Sequence, residues 1–339
     1  MKMLEKMRNI KTKAVATVLS ETVEDKDCIP TNLPILNVAF SGELDGGFVP
    51  GITMLAGESR SFKSLLALYC LKSYFNKYPE SIAIVYDTEF GITEDYWASM
   101  GIDTARILKV DVENVETLKF DIMKRLKEIS KGDKIFFMID SLGAVASSKE
   151  IEDALNEKSV ADMQRAKSIR SLLRMITPHF SMKDIPCVII NHVYKTLELY
   201  SKTVVSGGTA NMYASNQVFI ISKSQEKDGD DLVGWNFTIH VEKSRFVRER
   251  SKLTFTVLND GGILPWSGLF DLAFESGLIF SPSKGWYSII DLETGEIGDK
   301  KFRAKELDNQ EFWNQFLTNE KFKEFVRNKF SLASGKLSS

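Results

Sequence analysis

Lys63 and Ser64 follow the run Gly57-Glu58-Ser59-Arg60-Ser61-Phe62, between an apolar stretch (Ile52–Ala56) and a segment with helical spacing (Leu65–Lys77). A strand, a glycine-started loop and Lys-Ser at a helix N-terminus make a phosphate cradle. Backbone N–H groups and the positive helix end hold the anion, the lysine reaches the outer phosphates, and the serine hydroxyl can ligate Mg²⁺. Gly57 to Ser64 are thus candidate ligands of a nucleoside triphosphate. One position departs from the pattern: Phe62 stands where a second glycine usually precedes the lysine. A bulky side chain disfavours positive φ, so the loop is expected to differ locally there.

Two further strand ends carry acids. Ile135 to Ile139 is an apolar run closed by Asp140 and followed by Ser141. Beside a phosphate loop, such a terminal Asp holds the Mg²⁺ shell. Ile84-Val85-Tyr86-Asp87-Thr88-Glu89 ends on two acids one residue apart. Glu89 would face the nucleotide from the carboxyl end of the sheet and there orient and deprotonate water; on sequence alone, a solvated strand-end pair is the favoured alternative.

Asn191-His192 closes another strand. A polar group there could sense the γ-phosphate and inform the loop that follows; a packing histidine is the bland alternative. That loop, 193–209, carries Tyr194, Lys195, Tyr200 and Lys202 and ends Ser206-Gly207-Gly208-Thr209. Basic and aromatic residues together suit a single-stranded backbone with unstacked bases. Lys167, Arg170 and Arg174 recur at helical spacing and share one face. That face is either a phosphate track or a solvated helix surface, and the preceding segment Lys149–Lys158 is mostly acidic. Lys243 and Arg245 alternate at i and i+2, so in an extended strand both would face the same way; spacing alone reads them as a surface ion-pair cluster beside Glu242.

The elements that must position these groups alternate. Strands are expected at 81–87, 134–140, 186–191, 217–222, 235–242 and 253–258, with helices at 65–77, 115–130 and 156–176. Strands separated by helices imply a mainly parallel, helix-covered sheet, and the short turns between the last three imply an antiparallel extension. From about Ser267 the chain becomes richer in glycine, aromatics and lysine, and Phe312, Phe316, Phe322 and Phe325 suit short helices. The organisation expected is an N-terminal helical oligomerisation segment (1–30), an α/β core (31–265), a small α+β C-terminal domain (266–330) and a frayed tail (331–339). Leu4, Met7 and Ile10 give the first segment an amphipathic helical pattern suited to docking on a neighbouring subunit.

Composition removes several classes. In 339 residues, 44 Lys and Arg against 46 Asp and Glu leave a net charge of −2, so any affinity for nucleic acid must come from local basic patches. Three dispersed cysteines and three dispersed histidines offer neither a disulfide framework nor a zinc site. No apolar run approaches the roughly 20 residues that span a bilayer. A cytoplasmic protein, with no membrane partner, is expected.

Together the pieces resemble the RecA-type recombinases. Leu36 to Phe40, Leu44-Asp45-Gly46-Gly47 and Pro50-Gly51 lead into the loop as in that family. The similarity continues through Tyr86 to Glu89, Tyr96 to Asp103, Asp140-Ser141, Asn191-His192, Gly207-Gly208, Tyr213-Ala214-Ser215, Glu242 to Arg245 and Gly261-Gly262-Ile263. Phe62 and the run Glu152–Lys158 look most like the UvsX recombinases of tailed phages. The resemblance implies a RecA-like core that binds ATP and Mg²⁺, with Ser64 and Asp140 on the metal, Glu89 catalytic beside Lys63, and Tyr96 on adenine. His192 occupies the place of the family's phosphate-sensing glutamine. Segments 147–158 and 193–209 match two DNA loops, Lys167 and Arg174 match DNA-contacting positions, and Lys243 and Arg245 match a pair reaching a neighbour's phosphates. The expected activity is DNA-dependent ATP hydrolysis by a filament on single-stranded DNA that pairs with homologous double-stranded DNA and exchanges strands. A loader and a single-strand binding protein are expected partners, in the host cytoplasm if the chain is phage-encoded. A hexameric helicase-type motor and a non-hydrolysing mediator remain the rival readings.

Overall fold

The computed structural model describes residues 2–10, 27–157, 163–196, 203–290, 294–307 and 309–332. After helix α1 (Lys2–Arg8) and α2 (Pro34–Ser41), the core alternates strands and helices: β1 (Gly51–Gly57), α3 (Lys63–Lys77), β2 (Ile82–Asp87), α4 (Glu94–Ser99), β3 (Ile107–Asp111), α5 (Val115–Glu128) and β4 (Ile135–Asp140). It continues with α6 (Ser148–Leu155), α7 (Met163–Met182), β5 (Pro186–Lys195), β6 (Thr203–Val205), α8 (Ala210–Ala214), β7 (Gln217–Asp228), β8 (Asp231–Ser244), β9 (Lys252–Leu258) and β10 (Gly262–Ile263). The main sheet runs β10-β9-β8-β7-β1-β5-β4-β2-β3, with β6 folded back on β5. From β3 to β7 neighbours are parallel, and from β7 to β10 antiparallel, as the spacing of helices and turns predicts.

The central strands read as unbroken apolar runs because helices cover both sheet faces. Along β4, Phe136 and Met138 enter one core while Phe137 and Ile139 enter the other, the period-2 alternation of a strand. One core also takes α2, α3 and the C-terminal domain; the other takes α5 and α7. This places the ends of β1, β2, β4 and β5 along one edge.

Several boundaries differ from expectation. β5 continues past Asn191 to Lys195, and β7 past Ser222 to Asp228. Their outer ends leave the core, and from Val193 and Ser222 onward pairing with β6 and β8 keeps them extended. The helix expected at 156–176 starts at Met163 among the described residues and runs on to Met182. Before it, the acidic segment forms the separate helix α6, started by a capping box of Ser147 and Glu150 and closed at Asn156. Ser331 and Leu332 do not fray: they pair with Val247 and Phe246, while 333–339 lie outside the described residues.

Beyond residue 265 come α9 (Leu269–Glu275), an antiparallel sheet of β11 (Ile279–Ser283), β12 (Trp286–Ile290) and β13 (Ile297–Phe302), then α10 (Gln310–Leu317) and α11 (Glu320–Phe330). Phe316 and Phe322 are fully buried there with Trp313, and Phe312 and Phe325 are half-buried. In α1, Leu4, Met7 and the following Ile10 are exposed. Among the described residues no helix is long and apolar enough to cross a membrane.

Candidate functional site

β1 delivers the chain to Gly57, where a side chain has no room: a Cβ would sit 2.4 Å from Ser61 Oγ and 2.7 Å from the Ile221 carbonyl oxygen. The loop then turns into α3 through Phe62, whose φ is +68°. The bulky residue therefore does take the left-handed conformation, against expectation. Its ring sits 4.8 Å from Phe237 and 5.7 Å from Phe255, centroid to centroid. Each aromatic pair contributes about 0.5–1.5 kcal/mol beyond area burial, enough to offset the roughly 1–2 kcal/mol cost of a left-handed residue with a Cβ. The backbone shape a glycine would give is held here by an aromatic anchor on β8 and β9.

Lys63 follows at the N-terminus of α3 and is buried. Its Nζ donates to the Glu58 carbonyl (2.6 Å) and to Ser61 Oγ (3.3 Å). Burial pulls its pKa below the usual lysine value, and the charges of Asp140 and Glu89 push it back.

The acids come together because β2 and β4 pair in register, Asp87 opposite Asp140. Thr88 locks the two ends: its Oγ1 donates to the Ser141 carbonyl (2.7 Å) and accepts from the Ser141 N–H (2.8 Å). Burial first, then the negative Glu89 and Asp87, pushes the Asp140 carboxyl up to about 6, against the Ser64 hydrogen bond and the Lys63 charge. The two acids of β2 have different fates. Asp87 is buried, accepts the N–H groups of Glu89 and Ile92 (3.2 Å each) and pairs with Lys109 (3.2 Å); it folds the turn. Glu89 is 46% exposed and forms a triangle with Ser141 Oγ (2.6 Å) and His192 Nε2 (3.1 Å), which are 3.2 Å apart. In the sequence, Ser141 carries no signal beyond its place directly after Asp140.

The triangle touches the base of the glycine-ended loop. Asn191, beside His192, donates to the Ser206 carbonyl (2.9 Å), as does Asn211 of α8 (2.5 Å). Val193 to Lys195 pair with Thr203 to Val205. Lys195 is exposed, whereas Lys202 lies outside the described residues. Gly207 (φ +90°) and Gly208 (φ +79°) make the turn into α8. Lys167, Arg170 and Arg174 are all exposed on α7. Arg170 and Arg174, with Leu173, border a cleft of about 510 Å³ whose other wall is Thr209, Ala210 and Tyr213. The structure thus brings the basic helix against the loop's return helix.

Tyr96 stands on α4, 47% exposed beside the buried Trp97. Lys243 and Arg245 do not share a strand face: β8 ends at Ser244 and Arg245 lies exposed in the bend beyond. Lys243 is half-buried and donates to the carbonyls of Met212 and Ser215 (2.8 Å to the latter), at the C-terminal end of α8. In its own chain it is committed to α8 rather than to the Gly57–Ser64 loop. Burial lowers its pKa, and Arg245 lowers it further.

Ser64 and Asp140 are hard oxygen donors, and the described residues contain no cluster of three or more His, Cys, Asp or Glu fit for a metal. Two hard oxygens of this kind suit Mg²⁺, which is held by one or two protein oxygens, water and substrate phosphates rather than by a full protein cage.

Comparison with known proteins places the chain in a family. The family model described as RecA N-terminal domain matches residues 2–264, and the one for the bacteriophage T4 recombination and repair protein C-terminal domain matches 266–326. The chain is 46% identical over 319 residues to the recombination and repair protein of Enterobacteria phage T4, covering 93% of this chain and 82% of that one. It is 26% identical over 324 residues to the RecA protein of Porphyromonas gingivalis (94% and 91% covered). To RecA of Bacteroides thetaiotaomicron it is 27% identical over 283 residues (82% of each). With matches spanning both the α/β core and the C-terminal domain, the chain belongs to the RecA family and resembles its UvsX phage branch.

Proposed function

We propose that the chain is a DNA-dependent ATPase that forms helical filaments on single-stranded DNA and catalyses homologous pairing and strand exchange. One observation carries the reading. Glu89, on the nucleotide edge, is joined through His192 to the strand that runs into the glycine-ended loop, so hydrolytic group and DNA-side loop share a hydrogen-bonded contact.

ATP is the nucleotide, its phosphates in the Gly57–Phe62 loop with Lys63 on the outer oxygens. Ser64 and Asp140 would hold Mg²⁺, which neutralises charge on the phosphates. Glu89 accepts the proton of the attacking water: it is exposed, next to the loop, and oriented by Ser141. His192 is a second partner of the same carboxylate oxygen, so any movement of Glu89 toward the γ-phosphate is felt at β5. Tyr96 is assigned to the adenine face. Lys167, Arg170, Arg174, Lys195, Lys202 and the Gly207-Gly208 turn are assigned to DNA.

Lys243 and Arg245 are assigned to the phosphates of a neighbouring subunit, which requires Lys243 to leave the carbonyls of α8. Mixing a Lys243→Ala, Arg245→Ala double variant with Lys63→Ala tests this, because some mixed interfaces then combine an intact loop with an intact basic pair. Activity above either variant alone supports the assignment; none at any ratio ends it. The assigned domains are 1–30 for self-association, 31–265 for ATP and DNA, and 266–330 as an accessory unit, in a cytoplasmic protein served by a loader and a single-strand binding protein. Electron microscopy with single-stranded DNA, with and without ATP, tests the whole: an ATP-dependent open helical filament supports it, and a closed ring or bare DNA refutes it.

A further inference from the structure

The segment 141–148 starts at the nucleotide edge and ends at α6, and it is fastened to α7 at both ends. Near its start, the Arg165 guanidinium of α7 donates to the carbonyls of Val145 (2.6 Å), Gly143 (2.5 Å) and, more weakly, Leu142 (3.5 Å). At its far end, Glu116 of α5 accepts from the N–H (2.9 Å) and hydroxyl (3.0 Å) of Ser148, while its other oxygen accepts from Ser168 of α7 (2.5 Å). Val115 adds a main-chain bond to Ala146 (3.0 Å).

Arg165 and Ser168 lie on one side of α7. Lys167, Arg170 and Arg174 lie on the other, roughly 160° around the helix at 3.6 residues per turn. One face grips a loop whose first residue, Ser141, touches Glu89 and His192; the opposite face presents the basic groups. From this placement we infer that Arg165 and Glu116 are positioning residues that transmit the state of the nucleotide edge to the DNA-facing side of α7. The inference rests on the proposed ATP and DNA sites. Its physical content is a rigid link: the 141–148 carbonyls cannot shift without either breaking the Arg165 fork or moving the helix. Neither residue needs to touch ATP or DNA.

The test is a binding cycle. Affinity for a fluorescent oligothymidylate is measured with and without a non-hydrolysable ATP analogue, for wild type, Arg165→Ala, Glu116→Ala and Glu116→Gln. Couplings between sites are typically about 5–150-fold, and Arg165→Ala is expected to cut the wild-type ratio at least about fivefold. Nucleotide affinity without DNA, and DNA affinity without nucleotide, should stay at wild-type values, which also reports that the variant is folded. Glu116→Ala should behave likewise. Glu116→Gln should keep most of the ratio, because its amide oxygen can accept from Ser148 while its NH₂ donates to Ser168 Oγ. By reciprocity, DNA should raise nucleotide affinity by the same reduced factor.

An unchanged ratio in both alanine variants overturns the inference. So does an equal loss of DNA affinity with and without nucleotide, accompanied by a salt slope shallower by about 0.7, which would make Arg165 a plain phosphate contact. A wild-type protein whose DNA affinity ignores nucleotide overturns the reading of the sites themselves, and the inference falls with it.

Discussion

Asp140 is held at a cost to stability, and Asp140→Asn should expose that cost. The carboxyl is pushed from its ordinary 3.8 up to about 6, chiefly by burial and then by Glu89 and Asp87. At about 1.4 kcal/mol per pH unit of difference, the ionised form costs the fold roughly 3 kcal/mol above pH 6. The sign follows from which state binds more protons. Below 3.8 both native and unfolded chains are protonated and the cost is absent; between 3.8 and about 6 the native chain holds the extra proton, so stability falls as pH rises. Asn mimics the protonated acid and removes the penalty. At about 2.1 cal/mol/K per residue, unfolding the whole chain has an entropy of roughly 0.7 kcal/mol/K. Asp140→Asn should therefore melt about 4 °C higher than wild type at pH 7.5 and about half as much higher at pH 5, where the linkage relation leaves roughly half of that cost. With Mg²⁺ and ATP the order should reverse, because only the carboxylate holds the cation well. Thermal melts by circular dichroism at the two pH values, with and without Mg²⁺ and ATP, read all of this. A variant less stable at pH 7.5, or a gain that does not shrink at pH 5, would refute the reasoning.

Three further outcomes follow from the same geometry. Glu89→Gln should bind ATP normally yet hydrolyse it about 10²-fold or more slowly, whereas Lys63→Ala should lose productive binding; single-turnover assays separate the two, and normal hydrolysis by Glu89→Gln removes its assignment. The logarithm of affinity for single-stranded DNA should fall with the logarithm of salt at about −0.7 per neutralised phosphate; Lys167→Ala and Arg174→Ala should each make that slope shallower without altering ATP binding in the absence of DNA, and a salt-insensitive complex would dismiss the basic face. Phe62→Ala should be less stable than Phe62→Gly by about 1 kcal/mol in denaturant unfolding, reversing the usual order, because alanine keeps the left-handed cost and loses the ring contacts; Ala equal to or above Gly would contradict the anchor.

The mainly parallel sheet was legible because buried strands are unbroken apolar runs, and β1, β2, β4 and β5 all carry that signature. What escaped was structure held by pairing rather than burial. β7 beyond Ser222 reads Lys-Ser-Gln-Glu-Lys-Asp, a polar run indistinguishable from a loop, yet each residue has a partner on β8. The edge strand β3 is mostly exposed and lacks alternation for the same reason. The rule that a bulky residue avoids positive φ failed at Phe62 because it is a local rule, and the compensation comes from Phe237 and Phe255, some 175 and 193 positions away in sequence.

In the site, residue types were legible and their division of labour was not. Asp87 and Glu89 look alike as acids closing one strand. Only the hydrogen-bond count separates them, since Asp87 is saturated by two N–H groups and Lys109 while Glu89 remains exposed toward Ser141 and His192. Lys243 looked like half of a surface pair, and its burial against α8 depends on where that helix ends in space. Arg165 gave no signal, because the Leu142, Gly143 and Val145 groups it holds are carbonyl oxygens, which every residue carries. A side chain that grips main chain far away in sequence leaves no trace in residue types or spacing, unlike a local cap such as Ser147 with Glu150. In this fold Arg165 ties the carbonyls of Leu142, Gly143 and Val145, the residues just past Asp140 and Ser141, to α7, so a residue proposed to join the nucleotide edge to the basic helix face is one a sequence reader is least equipped to see.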